Sequence, residues 1–285
     1  MPFSVGIGII TYNRKAILSD TIDRVRAYTS HPGAAIVVAD DGSSDGTGAM
    51  LREKQVPVIT GVNMGIAWNK NRALFLLAQM LDCETVILLE DDTQPNRAGW
   101  EEAWLRAARR WGHMNLAGDW MKEYFLSGAG SAEDPVRSDM VTAQCSAYSW
   151  NALTFGGYFD SRYKGYGHEH VDHTARLIRV GYGGTDDGQQ IRFFLMKGDL
   201  GVVSCQSHYD QAQIDANHRI ASQSMGEQHY RMPWRDHAEL RQFRSEIESA
   251  MDDGAERFRL TPDESGSHAI RTTRPGLFRR LFGQG

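Results

Sequence analysis

VGIGIITYNRKAILSDTIDRV, Val5 to Val25, is the stretch on which the reading of the whole chain turns. Its β-branched apolar run, Val5 to Ile10, passes into a segment that sets Leu18, Ile22 and Val25 on one helical face, so a strand delivers into a helix. The same alternation then repeats. Ala35 to Ala39 is strand-like, DDGSSDG leads to a short helix, VPVIT from Val56 to Thr60 is a strand, Ala67 to Leu81 has helical period, and Thr85 to Leu89 is a further β-branched run. Strands alternating with helices imply βαβ units and an α/β fold with a mainly parallel sheet flanked by helices.

In open sheets of this kind ligands bind beyond the carboxyl ends of the strands. Each strand should therefore run into chemically useful residues, and here each does. The first is followed by Thr11, Tyr12, Asn13 and Arg14, and the second by Asp40, Asp41, Gly42 and Ser43. Asn63 and Gly65 follow the third, and Glu90, Asp91 and Asp92 the fourth.

Composition narrows the function classes. The chain has 285 residues, 41% hydrophobic and 24% charged, with a formal net charge of −5. That charge leaves no overall electrostatic footprint for nucleic acid. Three widely spaced cysteines, Cys83, Cys145 and Cys205, form neither a disulfide framework nor a zinc ribbon. No apolar run approaches the ~18 residues that span a bilayer, and the first residues read as a strand rather than a leader. The expectation is a cytoplasmic protein.

Beyond Asn96, Trp100, Trp104, Ala108 and Trp111 recur at helical spacing as a packing stripe. Gly112 to Pro135, rich in Gly, Ser and Asp, reads as a mobile loop, Val202 to Ser204 as a strand, and Asp236 to Phe258 as a charged helix.

EDD, Glu90 to Asp92, closes the fourth strand. Alone it reads most simply as a charged turn, although hard divalent cations favour such carboxylates and share their coordination with substrate phosphates. Its context changes the reading. TYNR, VVADDGSSDGT, NMGIAWNKNRAL, VILLEDDTQP and GGYFDSRYKGYGHEHVDHTARL occur in this order between Thr11 and Leu177, and together they resemble the inverting family-two glycosyltransferases of the GT-A fold over roughly 60% of the chain. The resemblance implies a Rossmann-like, mainly parallel mixed sheet with a helical C-terminal extension. It also implies a nucleotide-diphosphate sugar donor, usually of UDP, with Mn²⁺ or Mg²⁺ held at a DxD-like motif. Residues 1–95 would form the donor-binding half, 96–210 the acceptor-binding and catalytic half, 211–260 the helical extension and 261–285 a basic tail.

Carried over by position, the resemblance sets Thr11, Tyr12, Asn13, Asp40 and Asp41 at the base and ribose, with Arg14, Asn63 and Gly65 on the same donor-side edge. Asn71 and Arg72 match an Asn-Arg pair, and Arg72 would reach the diphosphate, since a cationic fork suits phosphate oxygens. Asp92 is the first metal ligand, with Glu90 and Asp91 beside it facing ribose, water or metal, and His208 in CQSHYDQ is the third protein ligand beside Asp92. The acceptor segment holds Trp120 and Lys122.

GYGHEHVDHTARL, Gly165 to Leu177, matches the family's acceptor-side helix start, where an aspartate usually serves as general base. That position is His170 here. Glu169, His170 and Asp172 all remain open as the base: a carboxylate raised by burial would serve, and so would an imidazole with a pKa near 6.5. If another group is the base, Asp172 orients the acceptor. A zinc site built from this histidine-rich stretch is disfavoured, because HExxH spacing is absent.

The function implied is metal-dependent transfer of a hexosyl or N-acetylhexosaminyl group, with inversion, to a glycan, lipid-linked or other glycoconjugate acceptor in polysaccharide biosynthesis. Three alternatives stay open: a retaining transferase, a sugar nucleotidyltransferase, and an inactive glycan- or nucleotide-binding protein. In the tail, Leu277, Phe278, Leu281 and Phe282 lie opposite Arg279 and Arg280, a pattern suited to peripheral contact with the inner face of a membrane.

Overall fold

The structure is a computed structural model and describes residues 3–205, 210–224, 227, 230–252 and 254–260. The first half follows the expected alternation: β1 (Val5–Thr11), α1 (Lys15–Tyr28), β2 (Ala34–Asp40), α2 (Thr47–Glu53), β3 (Val58–Thr60), α3 (Ile66–Phe75) and β4 (Thr85–Glu90). The helix expected to reach Leu81 instead widens into a π-turn, Leu76–Met80, before β4. After β5 (Thr93–Pro95) and α4 (Glu101–Trp111) come β6 (His113–Leu116), β7 (Phe125–Ser127), β8 (Val136–Ser138), β9 (Cys145–Ser149) and α5 (Trp150–Gly156). The chain continues through α6 (Glu169–Arg179), β10 (Gly184–Asp186), β11 (Ile191–Met196), β12 (Leu200–Val202), α7 (Gln211–Ser224) and α8 (His237–Met251).

Among the described residues one mixed sheet runs β3-β2-β1-β4-β9-β6-β11-β8-β7, with β10 pairing to β11. β1 to β4 are mutually parallel, and β9 is antiparallel to both β4 and β6. β6 and β11 therefore point the same way as β1. The ends of β1, β2, β3, β4 and β6 all meet at one edge, which collects Thr11, Asp40, Thr60, Glu90 and the chain beyond Leu116.

Alternation along β1 explains its composition. Val5, Ile7 and Ile9 enter a core shared with Leu18 and Ile22 of α1 and Trp104 of α4. Gly6 and Gly8 face the other side, where a Cβ on Gly6 would sit 2.9 Å from Leu77 and Cys83, and one on Gly8 would sit 3.0 Å from Ala73. Side-chain-free positions thus let α3 and the π-turn lie directly on the sheet. The core on that second face also holds Phe75, Leu177 of α6 and Phe243 of α8. Trp68 and Phe243 meet edge to face at 5.3 Å.

Two expectations change. The segment from Gly112 to Pro135 is not one loop but contains β6, a 3₁₀ turn at Asp119–Tyr124 and β7. These elements are too short to impose a readable period on the sequence. The late strand lies at Leu200–Val202 rather than at 202–204 and pairs antiparallel with β5, beside the EDD motif. Trp100 and Trp104 are buried in the core, as their spacing implied. The tail 261–285 lies outside the described residues.

Candidate active site

Strand β1 ends by bonding directly to the acidic motif. The Thr11 hydroxyl donates to Asp91 Oδ2 at 2.7 Å, and Arg14 Nη1 lies 3.1 Å from Asp91 Oδ1 and 3.3 Å from Asp92 Oδ2. Burial is the main influence on Asp91: it pushes the carboxyl up to about 7 against the Thr11 bond and the Arg14 charge, and Asp92 and Glu90 add to the rise. Glu90 is raised too, again chiefly by burial, with Lys70 opposing.

Asp92 is held from the far end of the chain. Val203 N donates to its backbone carbonyl at 2.8 Å, and Cys205 Sγ donates to its Oδ2 at 3.1 Å. The pairing of β5 with β12 brings about this approach. Among the described residues no three His, Cys, Asp or Glu side chains converge as a ready-made metal site. His208, three positions past Cys205, lies outside the described residues.

The loops after β1 and β2 are tied together. Asn13, in the left-handed region at φ 54°, donates through its backbone N to Ser43 Oγ at 2.8 Å and accepts from Ser44 N at 2.8 Å. Asp40 accepts from Ser43 N and Thr60 Oγ1, and so caps the turn that follows it. Tyr12 remains 48% exposed beside these loops. Gly65, at φ 92°, is crossed closely by the loop before α6, and a Cβ there would lie 3.0 Å from Gly165 N.

Several residues expected to touch ligand are spent inside the protein. Asp41 accepts from Met64 N, Gly65 N and Arg72 Nη1. Arg72 is fully buried, and its guanidinium is shared among Asp41, Glu246 and the Val62 carbonyl, which removes it from any diphosphate. Asn71 exchanges hydrogen bonds with the Phe159 backbone. Asp172 pairs with Arg176 at 3.1 Å and accepts from Ser224 Oγ at 2.7 Å. Trp120 is exposed over Gly118, and Lys122 pairs with Asp119 at 3.0 Å on the surface.

The HEH segment resolves into unlike roles. His168 is left-handed at φ 69° and precedes α6, whose first residue is Glu169. Glu169 Oε2 accepts from Gly167 N at 3.0 Å, in the first turn where the helix dipole favours a carboxylate. His170 is buried, its Nε2 meets Asn115 Oδ1 at 2.8 Å, and burial drives its pKa well below the ordinary value. His173, buried likewise, bonds to the Gly157 carbonyl at 2.9 Å.

Lys70 is the residue that motif reasoning passed over. It lies in α3 between Asn69 and Asn71, 2% exposed, with Nζ 3.4 Å from Glu90 Oε1 and 3.7 Å from Glu169 Oε1. One buried ammonium thus stands between the strand-end acid motif and the start of α6. A lysine inside an otherwise buried helical stretch was the available signal.

The central, mostly parallel sheet flanked by helices has the GT-A fold. Solved structures agree in fold. Mannosyltransferase PcManGT from Pyrobaculum calidifontis, in complex with GDP-Man and Mn²⁺, has 16% identity and a TM-score of 0.50 over 90% of this chain and 67% of that one. GalNAc-T7 with UDP, GalNAc and Mn²⁺ has 13% identity and a TM-score of 0.58 over 92% and 59%. S. aureus TarS 1-349 with UDP-GlcNAc has 11% identity and a TM-score of 0.51 over 88% and 73%. No curated protein sequence matches. The family model for Glycosyl transferase family 2 matches residues 6–118, from β1 to the end of the β6 connection. That part of the chain is similar to glycosyl transferase family 2.

Proposed function

We propose that the protein transfers a sugar from a nucleotide-diphosphate donor, a UDP-sugar first, to a hydroxyl of a glycan or glycoconjugate with inversion. The observation that carries this reading is the meeting of the β4 acid motif and Glu169 across Lys70, at 3.4 and 3.7 Å, on the ligand-binding edge of the sheet. Glu169 takes the proton of the acceptor hydroxyl as that oxygen bonds to the anomeric carbon. The bond from that carbon to the diphosphate breaks on the opposite face, and the electron pair leaves with the diphosphate.

The donor set suits a hard divalent ion. Asp91 and Asp92 set two adjacent carboxylates against Arg14 at the strand end, and burial holds Asp91 up to about 7. Asp92 would hold Mn²⁺ or Mg²⁺, with His208 as its partner ligand, and the ion would stabilise charge on the departing diphosphate. Three of the similar structures carry nucleotides or nucleotide-sugars and two carry Mn²⁺, which supports the same choice here. Tyr12, Asn13 and Asp40 line the edge suited to base and ribose, with Thr11 and Arg14 holding the acid motif. Trp120 and Lys122 offer an acceptor contact surface.

Nucleotide-sugars screened with Mn²⁺ for binding and slow hydrolysis test the reading. Asp92→Ala should abolish metal-dependent binding, and Glu169→Gln should abolish transfer while sparing binding. UDP binding that ignores both metal and Asp92→Ala would refute the metal assignment, and an α-linked product from an α-donor would refute inversion.

A further inference from the structure

Lys70 has an environment that stability does not explain. Its ammonium is 2% exposed and makes no hydrogen bond among the described residues. A lysine carries three N–H donors, and leaving them unspent in the interior is costly. The ring of Phe159 lies 5.4 Å from Nζ and supplies only a weak compensating attraction. A methionine of similar length would fill the same space without that cost. Its neighbours differ: Asn69 bonds to the Ala39 carbonyl, Asn71 to Phe159, and Arg72 to Asp41 and Glu246.

We propose that Lys70 is a positioning residue, whose ammonium fixes Glu169 for proton transfer and separates it from the carboxylate of Glu90. The inference rests on the reading of Glu169 as the general base. Gly167 N secures Oε2 of that carboxylate at 3.0 Å, and Lys70 supplies the restraint on Oε1 at 3.7 Å. Among the described residues, charged and titratable groups approach Glu169 from four elements. Lys70 faces it from α3, Glu90 stands beyond Lys70 on β4, Tyr148 lies on β9, and His170 follows it on α6. Without the ammonium nothing would stand between the two side chains to hold Glu169 in place. Lys70 therefore holds two acidic side chains at the boundary between the donor and acceptor sides.

The test compares Lys70→Met, Lys70→Arg and Glu169→Gln with the wild type in the Mn²⁺-loaded full chain, after a donor has been found by screening. For Lys70→Met, kcat should fall about a hundredfold while donor KM stays within about threefold. Lys70→Arg should recover most of the lost kcat, and the Tm of Lys70→Met should equal or exceed that of the wild type. Unchanged kcat in Lys70→Met would overturn the proposal, as would a lowered Tm with kcat and donor KM both impaired and no recovery in Lys70→Arg. Glu169→Gln separates the two readings. If it retains transfer, the base assignment fails whatever Lys70 does; if it abolishes transfer and Lys70→Met is inert, only the role of Lys70 fails.

Discussion

At the residue scale, neighbouring positions in one motif divide sharply between chemistry and architecture. His170 occupies the place where the family resemblance expects a base, yet its Nε2 is engaged by Asn115 and its ring is buried near Phe159. Burial depresses its pKa well below the ordinary value, so it remains neutral and a weak proton acceptor under the conditions in which a base should work. Glu169, one residue earlier, points a carboxylate toward the acid motif instead. His170→Gln keeps an amide donor for Asn115 and should leave kcat within about tenfold of the wild type, whereas Glu169→Gln should lose about a hundredfold to ten-thousandfold. Initial rates at saturating donor decide between them. A larger loss in His170→Gln than in Glu169→Gln would return the base to the histidine.

At the scale of elements, α3 and α8 act together. Phe243 of α8 meets Trp68, Phe75 and Trp234 at ring distances of 5.3 to 5.5 Å, and Glu246 of the same helix accepts from Trp68 and Arg72. α8 thereby fixes the rotation of α3, and that rotation aims Lys70 at the site and Arg72 at the interior. Phe243→Ala should cost about 3 to 5 kcal/mol by opening a cavity, measured as a fall in denaturation midpoint. Transfer should fall with it at temperatures where the variant is still folded, because α3 loses its register. The same dependence explains what could be read from the chain. Strand ends were legible because polarity follows a period-two run directly, so Thr11, Asp40 and the acids after β4 could be located from sequence. Lys70 and Arg72 were not legible, since two residues on a helix differ by about 200° and only the partner helix, some 170 positions later, decides which one faces ligand. Elements of three residues, such as β7 and β8, likewise leave no pattern to read.

At the scale of the whole molecule, the central sheet buries a polar seam behind the site. His113 donates through Nδ1 to the Ala147 carbonyl at 2.9 Å, stacks on Tyr148 at 4.5 Å and meets Asn115, which in turn holds His170, while His173 also stacks on Tyr148. All three histidines are depressed by burial first, His113 to about 4. An unfolded histidine near 6.5 binds a proton that the folded seam refuses. The stabilisation linked to neutral His113 is thus complete above about pH 6.5 and lost as pH falls through about 4, amounting to about 3 kcal/mol. Buried acids act in the opposite sense: Asp41 and Asp91 are raised, so their contribution is present in acid and lost as pH rises. The overall pH dependence is a difference between these sets, and only a variant isolates the histidine part. His113→Gln should lose less stability than the wild type between pH 7.5 and 4.5 in denaturant titrations without added metal, whatever constant offset the substitution brings. Parallel curves for the two proteins would mean that His113 takes up its proton in the folded state, and that the seam opens before the rest of the sheet.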